Sequence, residues 1–211
     1  MSKKSIVLRA RGFVDATPEG EQRFRYHLAI VLPVPVVLLA TLWSEPTAAS
    51  LWRGGICLVL GEALRWWSAG HLLGWQGALA KGQLVSKGPQ ALVRNPSHIG
   101  SFLVGLGLAV MSGSWPAYFV LFGFALLGIV RIIPREERSF GKQLGPAYEE
   151  YRRSVPGYVP GRRQLGDWFR AGRGRAEPEQ AFRGGQAWLA ERPMLIFLTC
   201  VVLAMIVRWR F

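Results

Sequence analysis

Cysteine and histidine are scarce in this 211-residue sequence, with two of the first and three of the second. Cys57 and Cys200 both lie inside apolar runs, where a lone thiol usually serves as a small packing group. His27 and His71 have no partner at metal-ligand spacing and fit the edges of apolar segments. These shortages argue against a metal centre, and we predict none.

Acidic residues are also few, because thirteen Asp and Glu face 26 Lys and Arg, giving a formal net charge of +13. Half of the residues are nevertheless apolar, and mean hydropathy is positive. The two facts agree if charge is confined to loops and apolar residues to membrane spans. Zinc-ligand spacing and basic helices with base-stacking aromatics are missing, so we expect no nucleic-acid partner. The expected partner of the basic loops is the anionic surface of a lipid bilayer.

The first 25 residues lack the apolar core of a signal peptide. Further along, apolar runs long enough for membrane helices alternate with polar stretches, which predicts an all-α integral membrane helical bundle of about five transmembrane helices. The predicted segments are a basic cytoplasmic arm at 1–25, a membrane core at 26–160 with helices at about 26–43, 49–70, 97–111 and 115–133, a basic amphipathic linker at 161–192 and a membrane helix at 193–211.

Prolines and glycines set several of these predicted boundaries. Pro96 suits the first turn of the third helix, and Pro134 is expected to end the fourth. The Gly-rich loop at 71–97 is too long for a simple turn, which favours a functional role. The last apolar run, 193–207, has about 15 residues and is short for a full crossing.

Basic residues predict the orientation of the chain. Six Lys and Arg lie in 1–25, three in 71–97 and thirteen in 131–192. Cytoplasmic loops carry an excess of these residues, so we expect all three segments in the cytoplasm.

Two polar clusters flank the hairpin of the third and fourth predicted helices. The first runs from Lys87 to Gly100 and the second from Glu136 to Arg152. A helical hairpin returns the chain to the side that it left, so both clusters should share one membrane face. Their carboxylates, arginine, histidine and tyrosines predict a small-molecule site at the bilayer edge.

One further charged pair lies inside the second predicted helix. Glu62 and Arg65 are spaced i, i+3 and are followed by two tryptophans. This pattern fits an ion pair within the helix beside an interfacial aromatic belt. It fits equally well a charge that faces a polar cavity.

The motifs are Gly88-Pro89, Arg94-Asn95-Pro96-x-x-x-Gly100, Glu136-Glu137 and Phe140 through Gly145-x-x-Tyr148-x-x-Tyr151, closed by Val155-Pro156 and Pro160. Over roughly residues 55–160 the pattern resembles the isoprenylcysteine carboxyl methyltransferase and phospholipid methyltransferase superfamily. Its members are integral membrane enzymes that use S-adenosylmethionine. The family often has histidine in the place of Asn95 and tyrosine in the place of His98.

The resemblance implies an S-adenosylmethionine-dependent methyltransferase whose cofactor pocket faces the cytoplasm, in an inner, plasma or endomembrane. The implied catalytic residues are Arg94, His98 and Glu137. The implied cofactor-binding residues are Gly88, Pro89, Asn95, Pro96, His98, Gly100, Glu136, Glu137 and Tyr148. The implied substrate-binding residues are Arg65, Tyr151 and Arg152. Such side chains suit the cofactor, since arginine binds a carboxylate bidentately and glutamate accepts from an ammonium or a ribose.

The expected acceptor is a lipophilic small molecule or a lipidated substrate, with the carboxylate of an isoprenylcysteine-like compound preferred. An amine acceptor, as in a phospholipid headgroup, would need a base such as Glu137 or His98. A small thiol is a third acceptor. Outside this class, a membrane reductase with NADPH and a non-catalytic membrane assembly protein both stay open. Residue by residue, Glu136 and Glu137 could be a solvated charge run, and the tyrosines aromatic belt residues.

Overall fold

The computed structural model describes residues 43–79, 88–171 and 182–210, and the regular elements in these ranges are all helical. They are α1 (Ala48–Leu79), a 3-10 turn (Gly88–Ala91), α2 (Pro96–Ser112), α3 (Trp115–Leu127), a π-helical turn (Gly128–Ile132), α4 (Ile133–Leu144), α5 (Pro146–Ser154), α6 (Arg162–Ala171) and α7 (Gly184–Arg210). The predicted all-helical class is confirmed. The predicted arm at 1–25 and nearly all of the first predicted helix lie outside the described residues.

Helices α1 and α2 pack antiparallel through glycines that let their backbones approach. A Cβ atom on Gly54 would lie 2.4 Å from the carbonyl oxygen of Gly107, and one on Gly61 would lie 2.7 Å from that of Gly100. Small residues at these positions permit a helix contact that larger side chains would block. The pairing places the carboxyl-terminal half of α1 beside the first turn of α2.

The structure corrects the predicted end of the second helix and the extent of the loop after it. We expected a helix at 49–70 and a loop at 71–97, but α1 continues to Leu79. At the start of this extension, the rings of His71 and Phe182 lie 5.4 Å apart.

Pro134 does not end the fourth predicted helix, contrary to our expectation. The π-helical turn follows α3 directly, and Pro134 then falls in the first turn of α4. The N–H of Ile133 reaches back to the carbonyl of Gly128 across this wider turn. A proline costs little in the first turn of a helix, where its missing N–H has no partner to lose.

Two described helical stretches are long and apolar enough to cross a membrane, namely Trp115–Lys142 and Gly184–Arg210. A shorter apolar helix, Pro96–Ser112, lies beside them. Large apolar side chains on the outer surface stay exposed, Phe119 and Phe122 among them. Apolar surface that faces outward along such helices is what lipid contact requires.

The predicted linker at 161–192 and the short last helix also differ from the structure. Helix α7 begins at Gly184 and continues through Pro193, so it has 27 residues rather than the expected 15. Helix α6 occupies another part of the same segment. Membrane helices tolerate an internal proline when neighbouring groups stabilise the turn.

Helix α7 packs against α1 and α2 through a buried cluster of Met111, Val201 and Met205. Cys200 on the same helix is exposed, so the packing role expected of both cysteines does not hold for it. Cys57 is half-buried.

Candidate functional site

A cavity of about 100 Å³ lies where the first turn of α2 meets α4 and α5. The structure brings the two polar clusters of the sequence together here. The predicted site residues that line the cavity are Arg94, Asn95, Pro96, His98, Glu136, Tyr148 and Tyr151. Most come from the start of α2 or from α5, so the short segments at one end of the bundle form the site.

Backbone hydrogen bonds tie the start of α2 to the segment after α5. The N–H of Arg94 donates to the carbonyl of Pro156 at 2.8 Å, and that of Asn95 donates to Gly157 at 3.2 Å. Pro96 then starts the helix, as the sequence predicted. These bonds hold the motif around Arg94 against the motif around Tyr151, although about sixty residues separate them.

The Arg94 side chain strengthens the same junction. Its Nη1 donates to the carbonyl oxygens of Arg152 at 2.6 Å and Val155 at 3.1 Å, and its Nε donates to Glu137 Oε1 at 3.0 Å. The guanidinium therefore connects three segments. Charge-assisted bonds of this kind are stronger than neutral ones, which makes Arg94 a structural clamp at the edge of the cavity.

Glu137 belongs to this clamp and does not line the cavity. Its Oε1 accepts from Arg94 and also from Asn95 Nδ2 at 3.3 Å. The side chain is 18% exposed. Glu137 therefore has protein partners of its own, and the cavity receives the neighbouring carboxylate instead.

Glu136 and His98 face each other across the cavity wall. His98 Nε2 lies 3.2 Å from Glu136 Oε2, within ion-pair distance but without hydrogen-bond geometry. Residue 136 is on α4 and residue 98 in the first turn of α2. A carboxylate and an imidazole so placed can each bind a polar ligand group.

A chain of hydroxyl and amide groups extends the polar wall towards α1. Ser68 Oγ lies 2.6 Å from Ser97 Oγ, and Gln90 Nε2 donates to Ser68 Oγ at 3.2 Å. The backbone carbonyl of Gln90 accepts from the Tyr151 hydroxyl at 2.8 Å. Gln90 Oε1 is buried and has no hydrogen-bond partner among the described residues. It is an acceptor that a ligand could satisfy.

The two tyrosines form an aromatic floor with Phe140. The ring centroids of Phe140 and Tyr148 are 5.9 Å apart, and those of Tyr148 and Tyr151 are 6.0 Å apart. Burial, together with the nearby carboxylate of Glu137, raises the pKa of Tyr148 to about 12. Burial also raises the pKa of Tyr151. Both phenols therefore stay protonated at physiological pH and act as neutral hydrogen-bonding groups rather than as bases.

Arg65 lies away from the cavity, in a charged cluster between helices. It is 3.4 Å from Glu62 on its own helix and 2.6 Å from Glu191 on α7, and it also donates to the Ser101 hydroxyl. The interpretation of Glu62 and Arg65 as an ion pair within the helix is confirmed. Neither side chain faces the cavity. The pair exists, and it forms part of a polar cluster that a second helix completes.

The remaining four predicted site residues lie outside the lining of the cavity. Gly88 has a φ of +64°, and a Cβ atom there would lie 2.4 Å from the His71 ring. Pro89 is buried beside it, and Gly100 contacts Gly61 across the α1 and α2 interface. The Arg152 side chain lies 3.6 Å from Glu149 on the outer face of α5. None of these four lines the cavity.

Four cavity residues were missed by the reasoning from sequence, namely Ser68, Gln90, Ser97 and Phe140. Ser97 and Phe140 stand inside the quoted motifs without an assigned role. Ser68 follows two tryptophans in a predicted membrane helix, where a serine on a bundle-facing position was the available signal. In the described ranges, groups of three or more metal-ligating side chains are absent.

Most of this site lies in a segment of the chain that is similar to known proteins. Residues 49–147 match the family model described as phospholipid methyltransferase. A stretch of 78 residues is 35% identical to the protein-S-isoprenylcysteine O-methyltransferase of Schizosaccharomyces pombe. That stretch covers 36% of this chain and 33% of the relative, so the chain matches about a third of the relative's length. No solved structure gives a match.

Proposed function

We propose that this chain is a methyltransferase. Both comparisons support its resemblance to the isoprenylcysteine carboxyl methyltransferase and phospholipid methyltransferase superfamily. The resemblance found in the sequence motifs is thereby confirmed. The observation that carries the proposal is the cavity itself. It lies at the junction of the motifs that define the resemblance, and its polar wall comes from those motifs.

We infer that the methyl donor is S-adenosylmethionine, which supplies an electrophilic methyl group when bound. Gln90 Oε1 and His98 Nε2 are buried without hydrogen-bond partners in the described part of the chain. Together with the Glu136 carboxylate, they suit an ammonium group and ribose hydroxyls. The faces of Phe140 and Tyr148 suit a purine ring. The fit is weaker for the donor's carboxylate, because Arg94 uses its Nε and Nη1 within the protein.

The size of the cavity limits what it can enclose. Ligand pockets usually measure about 300–1,000 Å³, whereas this cavity measures about 100 Å³. It is therefore suited to the polar end of a larger molecule, whose remainder would extend along the surface of the bundle. The site thus fixes one end of a ligand and leaves the other accessible to an acceptor.

We propose a lipophilic acceptor with a free carboxylate, of the kind that the name of the Schizosaccharomyces pombe relative indicates. The helices beside the site carry exposed apolar side chains that suit a lipid chain. A carboxylate attacks a methyl group without prior loss of a proton. The protein's part is then to align the reactants and exclude water.

A second candidate acceptor is the amine of a phospholipid headgroup, which the matched family description favours. Glu136 and His98 lie 3.2 Å apart at the cavity. Such a pair could take the proton that an amine must lose on methylation. Arg65, which we proposed as a substrate-binding residue, is engaged with Glu62 and Glu191 and would act only through them.

We further propose that the site faces the cytoplasm from within a membrane. The support is the pair of long apolar helices and the membrane family that the chain matches. The exposed arginines near the site, Arg152 and Arg153 among them, agree with the excess of basic residues on cytoplasmic surfaces.

Methyl transfer can be tested with the purified chain in lipid nanodiscs and a donor carrying a radioactive methyl group. A prenylated cysteine with a free carboxylate and phosphatidylethanolamine would be offered separately. We expect label on the first that mild alkali releases as volatile methanol, because an ester forms. Alkali-stable label on the second would establish the amine reaction instead. No transfer to either acceptor would contradict the proposed activity. The Glu149→Gln variant is the control, and its activity should equal that of the unaltered chain.

A further inference from the structure

Helix α6 has one apolar face and one charged face. Leu165, Trp168 and Phe169 are spaced at three and four residues, so they share one side of the helix. Arg163 and Asp167 lie on the other side and are 3.7 Å apart. This two-sided pattern suits a helix that lies on a boundary between an apolar and a polar medium.

The described residues cover only part of the apolar face. Trp168 contacts Trp67 of α1, with ring centroids 6.3 Å apart. Phe169 is 72% exposed and Leu165 is 38% exposed, and Val159 in the preceding segment is 76% exposed. An apolar strip therefore continues from the contact with α1 out to the molecular surface.

The position of this strip coincides with the level at which α7 begins. Trp66, the neighbour of Trp67, packs against Phe182 with ring centroids 4.8 Å apart. The N–H of Arg183 donates to the carbonyl of Gly70 at 3.1 Å, and α7 starts at the next residue, Gly184. Tryptophans collect at the membrane and water boundary. Helix α6 is thus held beside the entry point of a membrane-crossing helix.

The charge of α6 identifies the surface that it fits. It carries Arg162, Arg163 and Arg170 against the single acid Asp167, and the paired side chains are at least 60% exposed. Exposed arginines attract anionic headgroups, whereas a neutral surface offers them little. The apolar strip and the arginines together are better suited to contact with an anionic bilayer than to exposure to water.

We propose that α6 is an interfacial anchor that docks on an anionic bilayer surface. Phe169 and Leu165 enter the boundary between headgroups and acyl chains, and the three arginines contact lipid phosphates. Docking holds α6 against the membrane. This surface is separate from the cavity, and the proposal does not depend on methyltransferase activity.

The experiment uses the full chain in nanodiscs with Cys57 and Cys200 replaced by alanine. A nitroxide label is attached at Phe169→Cys or Leu165→Cys, and Asp167→Cys on the opposite face is the matched control. Collisions with oxygen, which concentrates in lipid, and with a water-soluble nickel chelate are measured by electron paramagnetic resonance. In discs containing phosphatidylglycerol, we expect the first two labels to favour oxygen severalfold over the control.

The second measurement varies the charge of the helix and the charge of the lipid. Replacing Arg162, Arg163 and Arg170 by glutamine should lower the ratio of docked to undocked α6 by about fivefold per arginine. For the unaltered helix, the ratio of docked to undocked α6 should be lower in discs of phosphatidylcholine alone than in discs containing phosphatidylglycerol. Free access of the nickel chelate to position 169 in anionic discs would overturn the proposal. Exclusion of both oxygen and the nickel chelate from position 169 would also overturn the proposal, because it would indicate a second protein copy on this face. Equal docking in anionic and neutral discs would overturn it as well.

Discussion

Arg94 connects the start of α2 with Glu137 and with the carbonyl groups that follow α5. At the level of single residues this clamp explains why the motifs around positions 94, 137 and 152 lie together. The neighbouring glutamates consequently have different surroundings. Glu136 lines the cavity, and Glu137 holds the wall behind it.

Glu137→Gln should destabilise the fold. The amide keeps the size of the side chain but removes the charge that Arg94 faces, and hydrogen bonds to charged groups contribute about 1.5–3 kcal/mol. We expect a loss of that order in the free energy of unfolding, measured by denaturant titration in mixed micelles. Glu149→Gln is the control, because that side chain is half-exposed and 3.6 Å from Arg152. Equal losses in both variants would mean that the Arg94 contact is not special.

His98→Ala should weaken binding of S-adenosylhomocysteine without a comparable loss of stability. The imidazole lies at the cavity and its Nε2 lacks a hydrogen-bond partner in the described part of the chain. Loss of one such bond to a ligand costs about 1 kcal/mol. His98→Tyr keeps a hydrogen-bonding group and should bind within about tenfold of the unaltered chain. Calorimetry on matched preparations measures the affinity of each variant for S-adenosylhomocysteine. Unchanged affinity in the alanine variant would show that His98 does not belong to the site.

The sequence allowed part of this residue-level detail to be predicted. Motif spacing indicated that Asn95, His98 and Glu136 share a site with the tyrosines, because a helical hairpin brings its ends together. It could not indicate that Glu137 turns away to Arg94, since adjacent glutamates look alike in a sequence. Nor could it identify Glu191 as a partner of Arg65, because 126 positions separate them.

At the level of secondary-structure elements, the close contact of α1 and α2 sets the position of the cavity. Their register puts Ser68 opposite Ser97, whose hydroxyl oxygens are 2.6 Å apart. Glycines at the interface make this approach possible. If the two helices separated, the polar wall of the cavity would lose its connection to α1.

Gly61→Ala should destabilise the protein, whereas Gly123→Ala should not. A Cβ atom at position 61 would lie 2.7 Å from both the Gly100 carbonyl oxygen and the Val104 nitrogen, but one at 123 has nothing within 4 Å. Overpacking costs about 1–3 kcal/mol. Both changes raise helix propensity, so the difference between them isolates the steric clash. Thermal unfolding in detergent measures it, and equal melting temperatures would contradict the close approach.

Helix boundaries show where prediction from sequence reaches its limit. Helices start at Ala48, Pro96 and Trp115, close to the predicted starts at 49, 97 and 115, since apolar runs and proline placement are local signals. The prediction failed at Pro134, where a π-helical turn carries the chain past the proline. It also failed at 71–79, where α1 stays helical to Leu79 although a loop was predicted. Neither boundary follows from the positions of prolines and glycines alone.

In the whole molecule, the polar site and the turn after α2 lie at opposite ends of the bundle. Helix α2 begins at the cavity and ends beside Glu45, whose N–H donates to the Ser112 carbonyl at 2.8 Å. The exposed basic residues near the cavity, such as Arg152, predict that this end faces the cytoplasm.

Cysteine labelling in intact cells tests this orientation. In a background without Cys57 and Cys200, we expect Glu150→Cys to react only with membrane-permeant reagents. Trp115→Cys, at the other end, should react with impermeant reagents, because residue 115 is 72% exposed there. Reaction of position 150 with an impermeant reagent in sealed cells would reverse the proposed orientation of the site.

The central claim is that the cavity at the start of α2 holds the polar end of a methyl donor. Its most direct test is calorimetry of the detergent-purified chain, titrated in parallel with S-adenosylhomocysteine and with NADPH. We expect saturable binding of S-adenosylhomocysteine, weakened in the His98→Ala variant, and no binding of NADPH. Binding of NADPH alone would indicate a reductase, and binding of neither would indicate a non-catalytic assembly protein. Either result would contradict the account.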